Sequence, residues 1–297
     1  MKSLLLLPSI ASLATAFCGH GTSLHPRDDH TPAPISTFGY DGITGPLGWH
    51  ALNMSANSLC ALGKHQSPIN IIKKDYACSN PPLNFTFDDY PHGAEIENLG
   101  TTLEVFINGS MSIPQQPCDG GGAGQCADKL YKLRQFHFHS SSEHHIDGVM
   151  YPMEVHFVFQ ADDTSLSVVG IPIDIEPSRG NSSDHSGVDF LSQVFAHVDE
   201  VAKPGSVGET GGFSFAETGL GRKLAESWYF RYSGSLTTPP CSEGVTWSVV
   251  ESPLHIRLDT YNKVRSIMGY NARYIQNALG EINLLDRARE TLDQEEF

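Results

Sequence analysis

The middle of the chain contains one segment from which the architecture follows: residues 135–158 read Gln-Phe-His-Phe-His-Ser-Ser-Ser-Glu-His-His-Ile-Asp-Gly-Val-Met-Tyr-Pro-Met-Glu-Val-His-Phe-Val. Polar and apolar side chains alternate at both of its ends, which places His137 and His139 on one face of the first run and His156 on the polar face of the second. A period of two residues is typical of β-strands. The polar stretch between the runs contains glycine and proline, which favour turns. The segment therefore predicts two antiparallel strands that both carry imidazoles.

The three histidines have the spacing of a metal site. His137 and His139 are two residues apart on one strand face, so their Cα atoms lie about 6.6 Å apart, and His156 supplies a third nitrogen from the second strand. Three protein ligands with one open position are typical of catalytic rather than structural zinc. Each ligand also needs an acceptor that fixes its ring, and Gln135 and Glu154 have the right parity for this role.

A cupin-type metal oxygenase is an alternative, because cupins also use His-x-His followed by a glutamate. Glu143 follows His139 at the required distance, but Gly148 then comes too soon after Glu143 for that motif. The cupin hypothesis is therefore the weaker one.

Five segments of the chain occur together in one order. They are Phe38-Gly-Tyr40 with Gly45-Pro46 and Trp49, His65-Gln-Ser-Pro-Ile-Asn-Ile71, Gln135-Phe-His-Phe-His139 with Ser142-Glu-His144 and Glu154-x-His156-x-Val158, Gly234-Ser-Leu-Thr-Thr-Pro-Pro-Cys-Ser-Glu-Gly-Val-Thr-Trp247, and Asn271-Ala-Arg273-Tyr-Ile-Gln276. In this order they resemble the α-class carbonic anhydrases, over about residues 37–280, and more narrowly a secreted, eukaryotic, fungal-like member.

The resemblance implies both a fold and a reaction. The expected fold is mainly β (α+β), a single domain built on a large, mostly antiparallel twisted central sheet with short peripheral helices. The residue pattern independently indicates many short strands, with helices only at residues 187–201 and 257–268. The expected activity is the reversible hydration of CO2 to bicarbonate and a proton through a hydroxide bound to Zn2+.

The resemblance also implies roles for individual side chains. Thr237 is expected to accept a hydrogen bond from the zinc hydroxide and to donate its own proton to Glu143, while Thr238 contacts bicarbonate and Tyr40 joins the solvent network. By pattern alone, residues 237–240 would be only a turn or a strand end. The residues that resemble the apolar wall around CO2, which would otherwise be ordinary core, are Val158, Val168, Leu236, Val245 and Trp247.

One position departs from the family. An ungapped alignment places Thr101 where many fast members carry a histidine. Threonine does not titrate near neutral pH, whereas histidine does. The resemblance therefore predicts intact zinc chemistry but slow export of the proton.

The two ends of the chain differ in composition from its middle. A base at Lys2, an apolar run and Ala14-Thr15-Ala16 are typical of a secretory signal peptide cleaved before Phe17. No other apolar run approaches the length of a membrane span, and the acidic C-terminus carries no lipid-anchor signal. The predicted organisation is a signal peptide (1–16), an N-terminal tail (17–36), the carbonic anhydrase domain (37–280) and an acidic tail (281–297).

Secretion agrees with the charge and with the glycosylation motifs. A formal net charge of −15 argues against nucleic acid as a partner. Four Asn-x-Ser/Thr motifs predict N-glycosylation, at Asn53, Asn84, Asn108 and Asn181.

The six cysteines allow fifteen complete pairings, which the sequence alone does not resolve. Secretion favours disulfides, and the resemblance implies a bridge between Cys60 and Cys241. A second local bridge is expected between Cys118 and Cys126, which bracket a glycine-rich loop. The remaining Cys18 and Cys78 either pair with each other or leave Cys18 to bridge two chains.

The main competing function is that of an inactive zinc-binding or adhesion module. Relatives of that kind lose a zinc ligand, whereas this chain keeps all three histidines together with Glu143 and Thr237. The sequence does not decide the oligomeric state, and a homodimer stays open.

Overall fold

The computed structural model describes residues 32–76, 78–79, 83–114, 128–177 and 186–294. The strands are β1 (Asn70–Ile71), β2 (Cys78–Ser79), β3 (Asn84–Phe87), β4 (Glu95–Asn98), β5 (Leu103–Phe106), β6 (Gly109–Ile113), β7 (Lys129–His139), β8 (His145–Ile146), β9 (Val149–Met150), β10 (Met153–Gln160), β11 (Leu166–Ile175), β12 (Val207–Glu209), β13 (Tyr229–Ser235), β14 (Glu243–Val250) and β15 (Leu254–Ile256). The α-helices are α1 (Trp49–Leu52), α2 (Leu59–Leu62), α3 (Ser186–Val194), α4 (Leu220–Glu226), α5 (Leu258–Met268) and α6 (Leu284–Gln294), with 3₁₀ turns at Gly42–Thr44 and Val198–Val201.

Twelve of the described strands form one sheet. Its main path runs in the order β12-β4-β5-β7-β10-β11-β14-β13-β2, while β15 pairs with β11, and β6 joins β3 to β7. Most neighbours are antiparallel, and only the pairs of β11 with β14 and β15 are parallel among the described strands of this sheet. The predicted large, mostly antiparallel sheet is thus confirmed, with these two parallel ladders as the difference. A smaller sheet contains β1, β8 and β9.

The alternation in β7 and β10 separates two environments. Phe136, Phe138, Phe157 and Phe159 are almost completely buried in the larger hydrophobic core on one face of the sheet. Burial of such side chains stabilises the fold by roughly 1.5–3 kcal/mol each. The histidines of the same strands therefore lie on the opposite face, and this aromatic core fixes the register that brings them together.

The helices follow the predictions in part. The helix predicted at residues 187–201 ends at Val194 and is followed by the 3₁₀ turn. The carbonyl of Gln193 accepts a hydrogen bond from the Gly211 N–H at 2.9 Å, a contact distant in sequence that occupies an acceptor at the helix end. The helix predicted at 257–268 is present as α5 and ends before Gly269, whose φ of +66° terminates it.

Both edges of the predicted domain continue into ordered structure. At the N-terminal side, Ala33 and Ser36 donate backbone hydrogen bonds to the carbonyls of Gly205 and Leu99. At the C-terminal side, the stretch predicted as an acidic tail contains α6, and Asn283 ties its start to the Gly63 carbonyl at 3.0 Å. Across the described ranges, no helix combines the length and the apolar character that a membrane span requires.

Candidate active site

Strand register brings the three predicted histidines together. β7 and β10 pair antiparallel with His137 opposite His156, and His139 opposite Glu154. One ring nitrogen from each histidine lies within 4.8 Å of the others, and all three residues are buried.

Two of the rings are oriented by the side chains that parity predicted. His137 Nδ1 is hydrogen-bonded to Gln135 Oε1 at 2.9 Å, and His156 Nε2 to Glu154 Oε1 at 2.8 Å. The nitrogens left to face the centre are therefore Nε2 of His137 and Nδ1 of His156. Strand parity does not reveal that His156 presents Nδ1 where His137 presents Nε2.

The third ring is oriented by a backbone group that sequence reasoning missed. His139 Nδ1 is hydrogen-bonded to the Asn271 carbonyl at 2.8 Å. The Asn271 side chain in turn accepts from the Ser140 N–H and donates to the carbonyls of Thr101 and Phe138. Asn271 belongs to one of the family-like segments, but a backbone acceptor leaves no residue-type signal by which its role could be recognised.

Glu154 connects two histidines to the backbone. Its Oε1 also binds His144 Nδ1 at 2.7 Å, and its Oε2 accepts the N–H groups of Glu143 and His144 at 2.9 and 2.8 Å. Burial by itself raises the pKa of Glu154, but His144 and His156 outweigh burial and hold that pKa well below its usual value. Gly170 leaves room for this carboxylate, since a Cβ there would lie 2.9 Å from Oε1.

His144 extends the network away from the centre. Its Nε2 lies 2.6 Å from the hydroxyl of Tyr232, which is 2.8 Å from Ser67 Oγ. A neutral imidazole donates through one nitrogen and accepts through the other, so a ring that donates to Glu154 accepts from Tyr232. His144 lies in a family-like segment, but the sequence assigned it no role. Its link between Glu154 and Tyr232 is revealed only by the tertiary structure.

The donor set fits a zinc ion. Burial lowers the pKa of His139, which favours the neutral ring that a metal ligand requires. Within the described residues, His139 Nε2 is buried and makes no hydrogen bond, so it presents a lone pair to the centre. Three converging imidazole nitrogens match the number of protein ligands in catalytic zinc sites.

Glu143 lies at the same centre, and Thr237 is buried. Glu143 Oε1 accepts the Arg273 N–H at 2.9 Å, while Oε2 lies 3.5 Å from His139 Nε2 and 4.0 Å from His156 Nδ1. The hydrogen bond expected from Thr237 to Glu143 is not formed in this structure. Among the described contacts, Thr237 Oγ1 and Glu143 Oε2 are both buried without a hydrogen-bond partner.

A disulfide supports the segment that carries the two threonines. Cys60 and Cys241 are bonded, as the resemblance implied, with their Cα atoms 5.1 Å apart. The Cys241 N–H donates to the Thr238 carbonyl at 2.8 Å. The guanidinium of the buried Arg273 donates to the Cys60 carbonyl, and burial lowers its pKa to about 10.

The five residues predicted as the apolar wall form part of one buried cluster. Val158 pairs directly with Val168 across β10 and β11, and Val168 pairs with Trp247 across β11 and β14. The cluster lies on the sheet face of the histidines and includes Val158, Val168, Leu236, Val245 and Trp247.

Tyr40 and Thr101 line one cavity of about 480 Å³ together with Asn271, whose carbonyl binds His139. Tyr40 packs edge-on against Phe38 and Trp49. Burial, and then the nearby Glu143, raise the pKa of Tyr40 well above its usual value. Thr101 Oγ1 lies 2.8 Å from Ser36 Oγ, so the position holds a pair of hydroxyls.

The remaining predicted sites divide between described and undescribed residues. Asn53, Asn84 and Asn108 are exposed, as glycosylation requires. Cys118, Cys126 and Asn181 lie outside the described residues, as does Cys18.

Known proteins share this fold and these segments. The model of the family described as eukaryotic-type carbonic anhydrase matches residues 44–294. The fungal α-carbonic anhydrase of Aspergillus oryzae has a similar structure, with a TM-score of 0.73 and 38% identity, over 85% of this chain and 98% of that one. A carbonic anhydrase of Pectobacterium atrosepticum is 32% identical over 82% of this chain and 89% of its own length. A carbonic anhydrase of Neisseria gonorrhoeae is 31% identical over 93% of this chain and 92% of its own length.

The matched family region contains all three histidines, Glu143 and Thr237. The chain therefore belongs to the eukaryotic-type carbonic anhydrases and is an enzyme of that family.

Proposed function

We propose that the chain hydrates CO2 reversibly with a zinc ion held by His137, His139 and His156. The observation that carries this proposal is the convergence of three imidazole nitrogens whose opposite nitrogens are hydrogen-bonded to Gln135, to the Asn271 carbonyl and to Glu154. Zinc, when bound, is a Lewis acid that lowers the pKa of a water molecule to about 7, for which carbonic anhydrases are the reference case.

Glu143 and Thr237 orient the attacking oxygen. The Arg273 N–H occupies Glu143 Oε1 and leaves Oε2 to accept from a hydroxyl. If Thr237 donates to that oxygen, its own lone pairs accept the proton of the nucleophile and direct the nucleophile's lone pair towards the substrate. This is a positioning effect, since it fixes the geometry of attack before the reaction starts.

The apolar wall receives CO2, which carries no net charge and has little to gain from polar partners. Val158, Val168 and Trp247 are nearly inaccessible to solvent and lie on the sheet face of the histidines. The hydroxyl or backbone of Thr238 contacts the bicarbonate product. Tyr40, whose pKa burial raises above its usual value, stays protonated and orders the water through which the proton leaves.

Export from the cell completes the proposal. The apolar N-terminal segment, the disulfide and the exposed Asn-x-Ser/Thr motifs support a secreted glycoprotein that loses residues 1–16. Residues 17–31 would then precede the part of the chain that the structure describes, and the domain would extend through α6. Association into a homodimer is an open extension of this proposal.

The decisive experiment is a measurement of CO2 hydration before and after metal removal. Protein dialysed against dipicolinate should lose its activity, and one equivalent of Zn2+ should restore it. Iron loaded under anaerobic conditions should restore less, and the iron-loaded protein should consume no oxygen when it is then assayed in air. Undiminished activity in protein shown to be free of metal would refute the zinc proposal, and activity restored by iron alone, with oxygen uptake, would favour an oxygenase instead.

A further inference from the structure

Exposed apolar side chains concentrate where the C-terminal helix meets the start of the domain. α6 packs against α2, and between them lies a groove of about 540 Å³. We call it the α2–α6 groove; its apolar wall consists of Met54, Ala61, Leu62, Leu285, Ala288 and Leu292. Met54 is 74% exposed, Leu292 67% and Leu62 51%. Apolar patches of this kind on a soluble domain usually contact something.

A glycosylation motif lies on the wall of this groove. Met54 is the middle residue of Asn53-Met54-Ser55, so Asn53 stands directly beside the wall. Asn53 Oδ1 accepts the Ala56 N–H at 3.1 Å, which fixes the amide. No hydrogen bond of the described residues holds Asn53 Nδ2, the atom to which an N-glycan would be attached.

We propose that the N-glycan on Asn53 folds back over the α2–α6 groove and covers its apolar wall. The ligand class is the chitobiose core of the glycan, whose pyranose rings present apolar C–H faces while their hydroxyls remain in water. This inference rests on the secretory route of the proposed function, because a chain that never enters that route receives no glycan.

A second copy of the chain is a less suitable occupant. It would bring together two molecules that each carry a formal net charge of −15, which repel each other. It would also have to enclose the neighbouring Asn53, whose side chain is exposed. The glycan requires neither the association of two like-charged molecules nor the burial of Asn53, because it is tethered one residue from the wall that it covers.

The test uses protein secreted from a eukaryotic host that adds N-glycans. Asn53→Gln and Ser55→Ala remove the same motif by different changes. Asn84→Gln is the matched control, because it removes a glycan from β3, which does not line the groove. Dye binding with anilinonaphthalene sulfonate (ANS) reports exposed apolar surface, and deuterium exchange of residues 284–294 reports the stability of α6.

Both variants that lose the Asn53 motif should bind at least about threefold more dye and exchange faster in α6 than the wild type, whereas Asn84→Gln should match the wild type. Adding Leu292→Lys to Asn53→Gln should remove the excess dye binding, which places that dye in the groove. The CO2-hydration kcat/KM should be unchanged in every variant.

Three results would overturn the inference. One is an occupied Asn53 whose removal changes neither dye binding nor exchange, and another is excess dye that persists after Leu292→Lys. The third is a bare Asn53 in protein glycosylated at other motifs, most clearly if sedimentation shows a dimer that buries the groove. Protein without a glycan at any motif would reject the secretory route as well, while CO2-hydration activity would still test the proposed reaction separately.

Discussion

His156 Nε2 lies 2.8 Å from Glu154 Oε1, two residues earlier on the same face of β10. This contact turns Nδ1 of His156 towards the centre, whereas His137 and His139 are held through Nδ1 and present Nε2. The geometry of the centre thus depends on a carboxylate that would not itself touch the metal.

Replacing that carboxylate should weaken metal binding. In Glu154→Gln an NH2 group replaces one carboxylate oxygen, so either the two histidine donors at Oε1 or the two backbone N–H donors at Oε2 lose their acceptor. We expect zinc affinity to fall about 10–100-fold, measured by competition with dipicolinate. Glu226→Gln, an exposed change of the same kind, should have no effect. An unaltered Kd for zinc in Glu154→Gln would show that the carboxylate does not position His156.

Removing two of the three proposed ligands should abolish stable metal binding. A His137→Ala, His156→Ala double variant leaves one imidazole at the centre, so zinc should be lost on dialysis. His145→Ala is the matched control, since His145 lies in β8 and outside the cluster of converging nitrogens. Metal analysis of the folded proteins decides the question, and full zinc retention in the double variant would disprove the assignment.

The disulfide should contribute to the stability of the fold. Cys60 and Cys241 are separated by 181 positions, and closing a loop of that length is worth at most about 5 kcal/mol in the chain-entropy model. The Cys60→Ala, Cys241→Ala variant should therefore unfold at lower guanidinium concentration. Reductant should lower the stability of the wild type more than that of the variant, which keeps the expected bridge between Cys118 and Cys126. If the free energy of unfolding falls by less than about 1 kcal/mol in the variant, removal of the disulfide gives the unfolded chain little additional conformational freedom.

Filling the apolar wall should slow the reaction with CO2. Val158 is 2% exposed and packs beside Val168, so Val158→Phe places a ring where the substrate is proposed to bind. We expect kcat/KM to fall at least about 10-fold, or 1.4 kcal/mol in transition-state stabilisation, with zinc content preserved. Phe157→Leu, on the opposite face of the same strand, should lower stability but leave kcat/KM of the folded enzyme intact. Equal kcat/KM in Val158→Phe and wild type would place CO2 elsewhere.

Proton export should respond to the residue at position 101. The hydroxyl pair of Thr101 and Ser36 orders water but does not titrate near neutral pH, and proton transfer is most efficient when the pKa of the carrier is close to the working pH. The wild-type turnover should therefore rise with the concentration of an imidazole-type buffer. Thr101→His should raise turnover at low buffer concentration and leave kcat/KM nearly unchanged, whereas Thr101→Asn should not.

Stopped-flow CO2 hydration across a buffer series measures both quantities. A wild-type turnover independent of buffer concentration, with no gain in Thr101→His, would show that export is not limiting or follows another path.

The sequence by itself was sufficient to predict the two strands that carry the site. Alternation with a period of two is a local property, so it identified β7 and β10, the shared face of His137 and His139, and the parity of Gln135 and Glu154. Several family-like segments in order then indicated the fold and the reaction. Local periodicity was less informative for the helix predicted at residues 187–201, because the Gly211 N–H, which binds the Gln193 carbonyl, lies far outside any local window.

Only the tertiary structure decided which nitrogen each imidazole presents and what holds it there. Asn271 reaches His139 across 132 positions, Arg273 reaches Glu143 across 130, and Tyr232 reaches His144 across 88. Two of these contacts use backbone groups, namely the Asn271 carbonyl, which every residue type supplies, and the Arg273 N–H, which every type except proline supplies. No residue pattern records such contacts. Sequence specified which side chains share a strand face, because that follows from the chain's own geometry. The orientation of His139 depends on a hydrogen bond that exists only after the distant C-terminal segment has packed against the sheet, whereas His137 and His156 are held by side chains of their own strands.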